Sequence, residues 1–329
     1  MMQPAPKHVS CFRVVVAAFG LIVFVSSHAI AGDRYALIVS GAAGGAQYAQ
    51  KYDAWRTAIV SVLRDQFLYP VDHVIVLADV PAKEGRQATV LTGATGANVR
   101  AALVRLAERA KADDVVLVLL IGHGSVLDGD GGKFNLVGPD LRSDEWANLV
   151  APIAGRLVFV NATGGSFPFL RSMAGPERVV VTATDSAGQQ FETVFPEFFV
   201  SALTSQAADI DKNQKVSIWE AFTHASAAVK AWYEERGQLP TERPAIDDGA
   251  PSGSQSSLAR ITYLQPDVRI PASADAELVA LLKRRAAIES AVERLRLSKP
   301  TLPVDQYERE LETLLLEMAR VDRQIRARS

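Results

Sequence analysis

Asp114-Val-Val-Leu-Val-Leu-Leu-Ile-Gly-His-Gly-Ser125 is the stretch that sets the architecture of this chain. Asp114–Ile121 reads as a strand, and after Asp114 it is apolar without a break, so it has no face to offer to water. Such a run suits a strand covered on both sides, as in a parallel sheet between helices. Leu157–Val160 and Arg178–Thr184 repeat the character downstream, and Tyr35–Ser40 and His73–Ala78 upstream. Between them lie helical patterns. Residues 48–67 place Trp55, Ile59, Leu63 and Phe67 on one face, after a Gly/Ala-rich turn at 41–46, and Asn98–Lys111 does the same with Val99, Leu103 and Leu106. Strand–helix alternation predicts an α/β fold with a mostly parallel sheet. In such sheets chemistry gathers at the carboxyl ends of the strands. Two segments fall there, Gly122-His-Gly-Ser125 and Asn161-Ala-Thr-Gly-Gly-Ser166.

The chain start sets the expected compartment. Lys7 and Arg13 precede an apolar stretch, Val14–Val25, of 12 residues. That is short for a membrane span. Ala29-Ile30-Ala31 then has the small-x-small pattern of a signal-peptide cleavage site. The expectation is a signal peptide over 1–31 and an exported bacterial protein, periplasmic or extracellular, with membrane attachment only through an uncleaved signal. The single cysteine, Cys11, lies within that leader, so a chain starting at Gly32 has no thiol chemistry and no disulfide.

Removing 31 of 329 residues leaves 298, and losing Lys7 and Arg13 moves the net charge from −2 to −4. That length holds one large domain with an appendage. No basic stripe points to nucleic acid. Besides His123 the mature part has only His73 and His224, and no histidine or cysteine cluster has zinc spacing.

The same segments resemble a known family. Tyr35–Gly41, Leu120–Ser125, Leu157–Ser166, Arg178–Asp185 and the later Thr241–Gly249 are similar, in order and spacing, to the legumain-type cysteine peptidases of the wider caspase-like clan. Within these, the likeness is to a bacterial exported subgroup, and it covers roughly residues 34–250. It implies a caspase/legumain-like sheet, with His123 as general base and the backbone around Gly122 and Gly124 as part of an oxyanion hole. The family nucleophile stands in Ala-Cys-Glu-Ser-Gly-Ser. Aligning the shared Gly-Ser places Ala162 at the cysteine. A methyl group cannot attack a carbonyl.

Two hydroxyls stand nearby. Thr163 follows Ala162, and adjacent side chains on an extended segment point to opposite faces. Ser166 comes four residues after Ala162. Either is a candidate surrogate nucleophile, although an alcohol needs stronger activation than a thiol. The competing reading has both hydroxyls cap the helix that enters at Phe167. His123 is open to two readings as well, a ligand contact or a structural histidine at a strand end.

A second chemical pattern is Asp209-Ile-Asp-Lys-Asn-Gln-Lys-Val-Ser-Ile-Trp-Glu220. Asp209, Asp211, Asn213, Lys215 through its carbonyl, Ser217 and Glu220 fall at the ligand positions of an EF-hand-type calcium loop. Helical patterns at 196–206 and 217–235 flank it. Gln214 stands where that loop needs glycine, at a cost on the order of 1 kcal/mol. The alternative is a solvated connection whose acids cap the second helix. Calcium is the only cofactor expected; no organic cofactor is.

Ala250–Ser257 reads as a linker, Leu258–Leu264 as a short strand and Gln265–Pro271 as a connector, so that 251–273 joins two domains. Residues 274–297 carry Leu278, Leu281, Ile288, Val292 and Leu295 at helical spacing. Residues 304–327 carry a heptad seam of Tyr307, Leu311, Leu314, Met318, Val321 and Ile325. Ser298–Pro303 turns the chain back, giving a C-terminal antiparallel α-hairpin over 274–329. Two helices bury little alone, so the hairpin is expected to dock on a partner or self-associate, or else to pack on the main domain. The function expected is an exported legumain-like homologue that is catalytically inactive and binds peptide or protein, or serves assembly. The alternatives are an active hydrolase using His123 with Thr163 or Ser166, and a structural or regulatory component in which the old cleft plays no part.

Overall fold

The computed structural model describes residues 32–79, 91–128, 131–251, 257–266 and 274–328. The expected signal peptide and most of Ala250–Ser257 lie outside them. Within them, β1 (Arg34–Ser40), β2 (Val74–Ala78), β3 (Leu91–Thr92), β4 (Val115–Ile121), β8 (Arg156–Asn161), β9 (Arg178–Thr182) and β10 (Ala245–Asp247) form one sheet, in the order β10-β9-β8-β4-β1-β2-β3. Every pair is parallel except β10 with β9. A second sheet joins β5 (Gly124–Val126), β6 (Gly132–Phe134) and β7 (Leu141–Arg142), all antiparallel. It hangs from the carboxyl end of β4 and has no counterpart in the periodicity of the sequence.

Alternation along each strand assigns two layers. Ala36, Ile38, Leu117, Leu119, Val158 and Val160 pack on one side with α1 (Ala46–Ser61), α5 (Phe195–Ala202) and α6 (Ile218–Glu235). Leu37, Val39, Val116, Val118, Leu157 and Phe159 pack on the other with α2 (Gly96–Arg109), α3 (Ser143–Val150) and α4 (Phe167–Ser172). Both faces are covered, which is why these strands read as unbroken apolar runs. The fold is therefore α/β, with a mostly parallel sheet between helices. The first long helix ends as an α-helix at Ser61 and continues as a π-turn over Val62–Gln66, keeping Leu63 and Phe67 buried.

The sheet has one topological switch. From β1 the chain runs outward through β2 and β3, then returns to β4 on the other side of β1. Crevices form outside the carboxyl ends at such a point. Gly41–Gly45 follows β1 there and Gly122–Ser125 follows β4, joined by the Gly41 amide donating to the Ile121 carbonyl at 2.9 Å.

Leu258–Leu264 is not a strand. Leu258–Ile261 is a 3₁₀ turn, and only Tyr263 forms a bridge, antiparallel to Ser217. The apolar run packs against α6 instead of extending a ladder. The C-terminal hairpin consists of α7 (Ala276–Ser298), whose N-cap Asp275 accepts from the Leu278 amide at 2.7 Å, and α8 (Val304–Arg326). Arg284–Glu317 and Arg285–Asp322 pairs tie the arms at 2.7 and 2.9 Å. Ala286, Ala287, Ile288, Val292 and Leu295 are buried on α7, whereas Val321 alone is buried on α8. Ala287, Ser290 and Glu293 of α7 face Gly32, Asp114 and Arg156 across a cleft of about 390 Å³ at the amino end of the sheet. Among the described residues no helix is long and apolar enough to cross a membrane.

Candidate functional site

His123 leaves β4 at the switch point. Tyr48 and Tyr52 of α1 meet its ring edge-on, with centroids at 4.7 and 5.5 Å. Its Nε2 lies 3.1 Å from both the Ala43 carbonyl and Tyr52 Oη. A carbonyl only accepts, so this contact places the ring proton on Nε2 and leaves Nδ1 as the basic nitrogen. A half-buried imidazole held by a fixed acceptor is the arrangement a general base needs. Burial first, and then Glu192 and Tyr48, push the Tyr52 hydroxyl well above its ordinary range, so it stays neutral beside the imidazole. Glu192 is paired with Lys51 of α1 at 2.6 Å.

Ala162 directly follows β8, the neighbouring strand. Its amide donates to the Leu120 carbonyl at 3.0 Å, and its carbonyl accepts from Thr193 Oγ1 at 2.7 Å. Ala162 is 1% exposed and belongs to the same layer as Ile121 and Tyr52, the tyrosine whose ring meets that of His123. The structure thus brings His123 and Ala162 to one face of adjacent strand ends.

Thr163 goes the other way. Its Oγ1 donates to Asn161 Oδ1 at 2.8 Å and its amide to the same oxygen at 3.2 Å. Ser166 Oγ lies 3.1 Å from Thr184 Oγ1 and accepts from the Thr184 amide at 3.2 Å. Both residues are fully buried. Neither caps the helix at Phe167. Thr184 does, accepting the Phe167 amide at 2.9 Å, because the end of β9 approaches the start of α4 more closely than the turn's own hydroxyls do.

The glycines make the close approach feasible. A Cβ on Gly124 would come within 2.6 Å of Thr163 Oγ1 and 2.8 Å of the Gly164 carbonyl. The histidine turn and the Ala162 turn therefore pack directly on each other. Gly122 adopts φ of +154°, open to glycine and strained for other residues. Gly124 enters β5 opposite Phe134.

Glu242 carries no local sequence pattern that marks it as functional. It is 2% exposed and sits at the start of α5, accepting from the amides of Val194 at 2.7 Å and Phe195 at 3.2 Å and from Tyr233 Oη at 3.2 Å. Burial outweighs these donors and pushes its carboxyl up to about 7. The only hint was its place in the Thr241–Gly249 segment. Since Thr193 bonds Ala162 and the next two amides bond Glu242, this carboxyl braces the back of the Ala162 turn.

The loop at 209–220 joins α5 to α6. Carboxylate oxygens of Asp209, Asp211 and Glu220 lie within 4.8 Å of one another. Oxygens around one calcium at about 2.3–2.6 Å are at most about 5 Å apart, so the spacing fits. Lys212 and Gln214 both take positive φ, 61° and 69°, the turn for which the loop pattern reserves glycine. Glu220 is turned inward: Oε1 accepts the amides of Ile210 and Asp211 at 2.8 and 3.2 Å, and Oε2 accepts Ser217 N and Oγ, both at 2.8 Å. Asn213 donates through Nδ2 to Asp211 and to Tyr263 Oη, while its Oδ1 accepts the Lys215 amide. Burial, and then the charges of Glu220 and Asp209, raise the Asp211 carboxyl above its ordinary value.

No protein-family model matches this chain, and no curated protein matches it in sequence. Among solved structures, it is similar to protein GSU0716 from Geobacter sulfurreducens, at 15% identity and a TM-score of 0.42, over 70% of this chain and 99% of that one.

Proposed function

We propose that this protein is an exported, legumain-like peptidase homologue that binds peptide or protein segments without cleaving them. The observation that carries the reading is Ala162. A buried methyl follows β8, the parallel neighbour of the strand that leads into His123, and the His123 ring is held by the Ala43 carbonyl. Without a nucleophile, the base has nothing to deprotonate. The surrogate-alcohol reading is less well supported, because Thr163 donates its proton to Asn161 and Ser166 is bonded to Thr184. The caspase-like assignment of the sheet belongs to this proposal too. It draws on the switch between β1 and β4 and on the antiparallel last strand.

Two further parts complete the reading. The 209–220 loop holds calcium through Asp209, Asp211 and Glu220, with Asn213, Ser217 and the Lys215 carbonyl as remaining ligands; an all-oxygen donor set suits that cation. The hairpin provides assembly, since α8 keeps Leu315 and Leu316 at 44% and 53% exposure.

The test is turnover and binding on a fluorogenic peptide library, for the wild-type protein and Ala162→Cys. Wild type is expected to bind without turnover, and Ala162→Cys to gain turnover that a second change, His123→Ala, removes. Cleavage by the wild type, lost in His123→Ala, would sink the proposal.

A further inference from the structure

Asp185 follows β9 and stands at the carboxyl end of the strand next to β8. Its Oδ2 accepts from Nε of Arg243. The Arg243 side chain is 76% exposed, against 19% for Asp185. Oδ1 of Asp185 is shut off from solvent and has no hydrogen-bond partner among the described residues. One side chain holds both backbones in place: Gln189 Oε1 accepts the amides of Asp185 at 3.0 Å and Arg243 at 3.2 Å. The Gln189 carbonyl in turn accepts the Gly165 amide at 2.7 Å. The pair is thus built into the wall of the Ala162 turn. Phe191, two residues beyond Gln189, is 66% exposed on the same wall, with its carbonyl against Gly164.

An ionised carboxylate accepts through both oxygens and pairs best with a guanidinium that uses both. Asp185 uses one. The cation it has is mostly in water, where an ion pair is weak and readily exchanged. A rigidly placed carboxylate with an idle oxygen, covered by a loosely held arginine, has the form of a cation site closed by its own chain.

We propose that Asp185 receives the basic side chain, arginine or lysine, of a bound peptide, and that Arg243 occupies this position in the free protein as an internal stand-in. The inference rests on the peptide-binding reading above and adds the ligand's charge. A peptide cation displaces Arg243 outward and takes up Asp185. Phe191 then offers an apolar surface to the neighbouring ligand residue.

The experiment is a titration of the full chain with fluorescein-labelled hexapeptides carrying arginine, lysine, alanine or glutamate at each position in turn, read by anisotropy. Arginine and lysine peptides are expected to bind best. Arg243→Ala removes the competitor and should tighten them by about fivefold, with alanine peptides unchanged. Asp185→Asn should weaken them by about tenfold or more, with an unchanged melting curve. Arg243 is exposed, so its variant folds whatever Asp185→Asn does. If peptides bind with no preference for a basic residue, or Arg243→Ala leaves arginine peptides unaffected, the Asp185 assignment is overturned while peptide binding stands. If neither wild type nor Arg243→Ala binds any peptide, both fall.

Discussion

The Ala162 turn and the 209–220 loop carry the chain's two chemical patterns, and they are built in opposite ways. In the turn, Thr163 and Ser166 are fully buried and bonded to Asn161 and Thr184. In the loop, Asp211, Asn213 and Lys212 lie at the surface, and partial burial of its carboxyl, followed by the charges of Glu220 and Asp209, raises Asp211. Residue type alone ranks Thr163 and Ser166 as candidate nucleophiles and the loop acids as mere helix caps. The hydrogen bonds reverse this. The hydroxyls are structural, and the acids, though each accepts hydrogen bonds, stand within 4.8 Å of one another as like charges. A cation relieves like-charge repulsion, whereas a substrate carbonyl gains nothing from a hydroxyl whose proton already has an acceptor.

The contrast can be broken at several points. The largest effect is expected at Glu220, the one buried acid of the loop. Four donors converge on its carboxylate, so Glu220→Ala should cost about 3 kcal/mol or more in urea denaturation. A near-zero cost would mean the loop is no more organised than ordinary surface.

Glu242 sharpens the other side. Its folded value of about 7 lies above its ordinary 4.5, so the native state keeps a proton the unfolded chain has lost between those values. Stability is therefore fully present below about pH 4.5 and falls as pH rises towards 7, by on the order of 3 kcal/mol. Denaturation midpoints across that window check it, and Glu242→Gln should remove the slope.

Calcium comes next. At a hundredfold excess over its dissociation constant it should stabilise the protein by about 2.7 kcal/mol. Because Asp211 is raised, the gain should fade on acidification sooner than for an ordinary aspartate. Calorimetry with and without calcium reads both, and an unchanged melting temperature at millimolar calcium removes the loop from the ligand-binding regions. The smallest effect is expected at Thr163→Val, about 1–2 kcal/mol of stability from the lost bond to Asn161, with peptide affinity unchanged. Lost affinity at normal stability would make the hydroxyl a ligand contact and bring the two regions closer in kind.

Legibility in the sequence followed the same division. The strands at 34–40, 74–78 and 115–121 were readable because helices cover both faces, leaving no polar residue to interrupt them. Both hairpin helices were readable from their spacing. The sheet of β5, β6 and β7 was not, since two- and three-residue strands carry no period. Leu258–Leu264 misled because a short apolar run fits a strand and a packed 3₁₀ turn equally well. At the site, His123 and Ala162 were readable as strand ends. Thr184, Gln189, Glu242 and Arg243 were not, because each acts across a distance in sequence that no local pattern encodes.

Among the described residues, the sheet ends on its shortest strands. β10 offers three residues on one side and β3 two on the other, although the strands between them are long and almost wholly apolar. An outer strand of that size is a poor template for another chain's backbone, and β10 closes with the charge of Asp247. Among the described residues, the backbone through which this sheet could pair with another chain is thus reduced to a few residues at each rim.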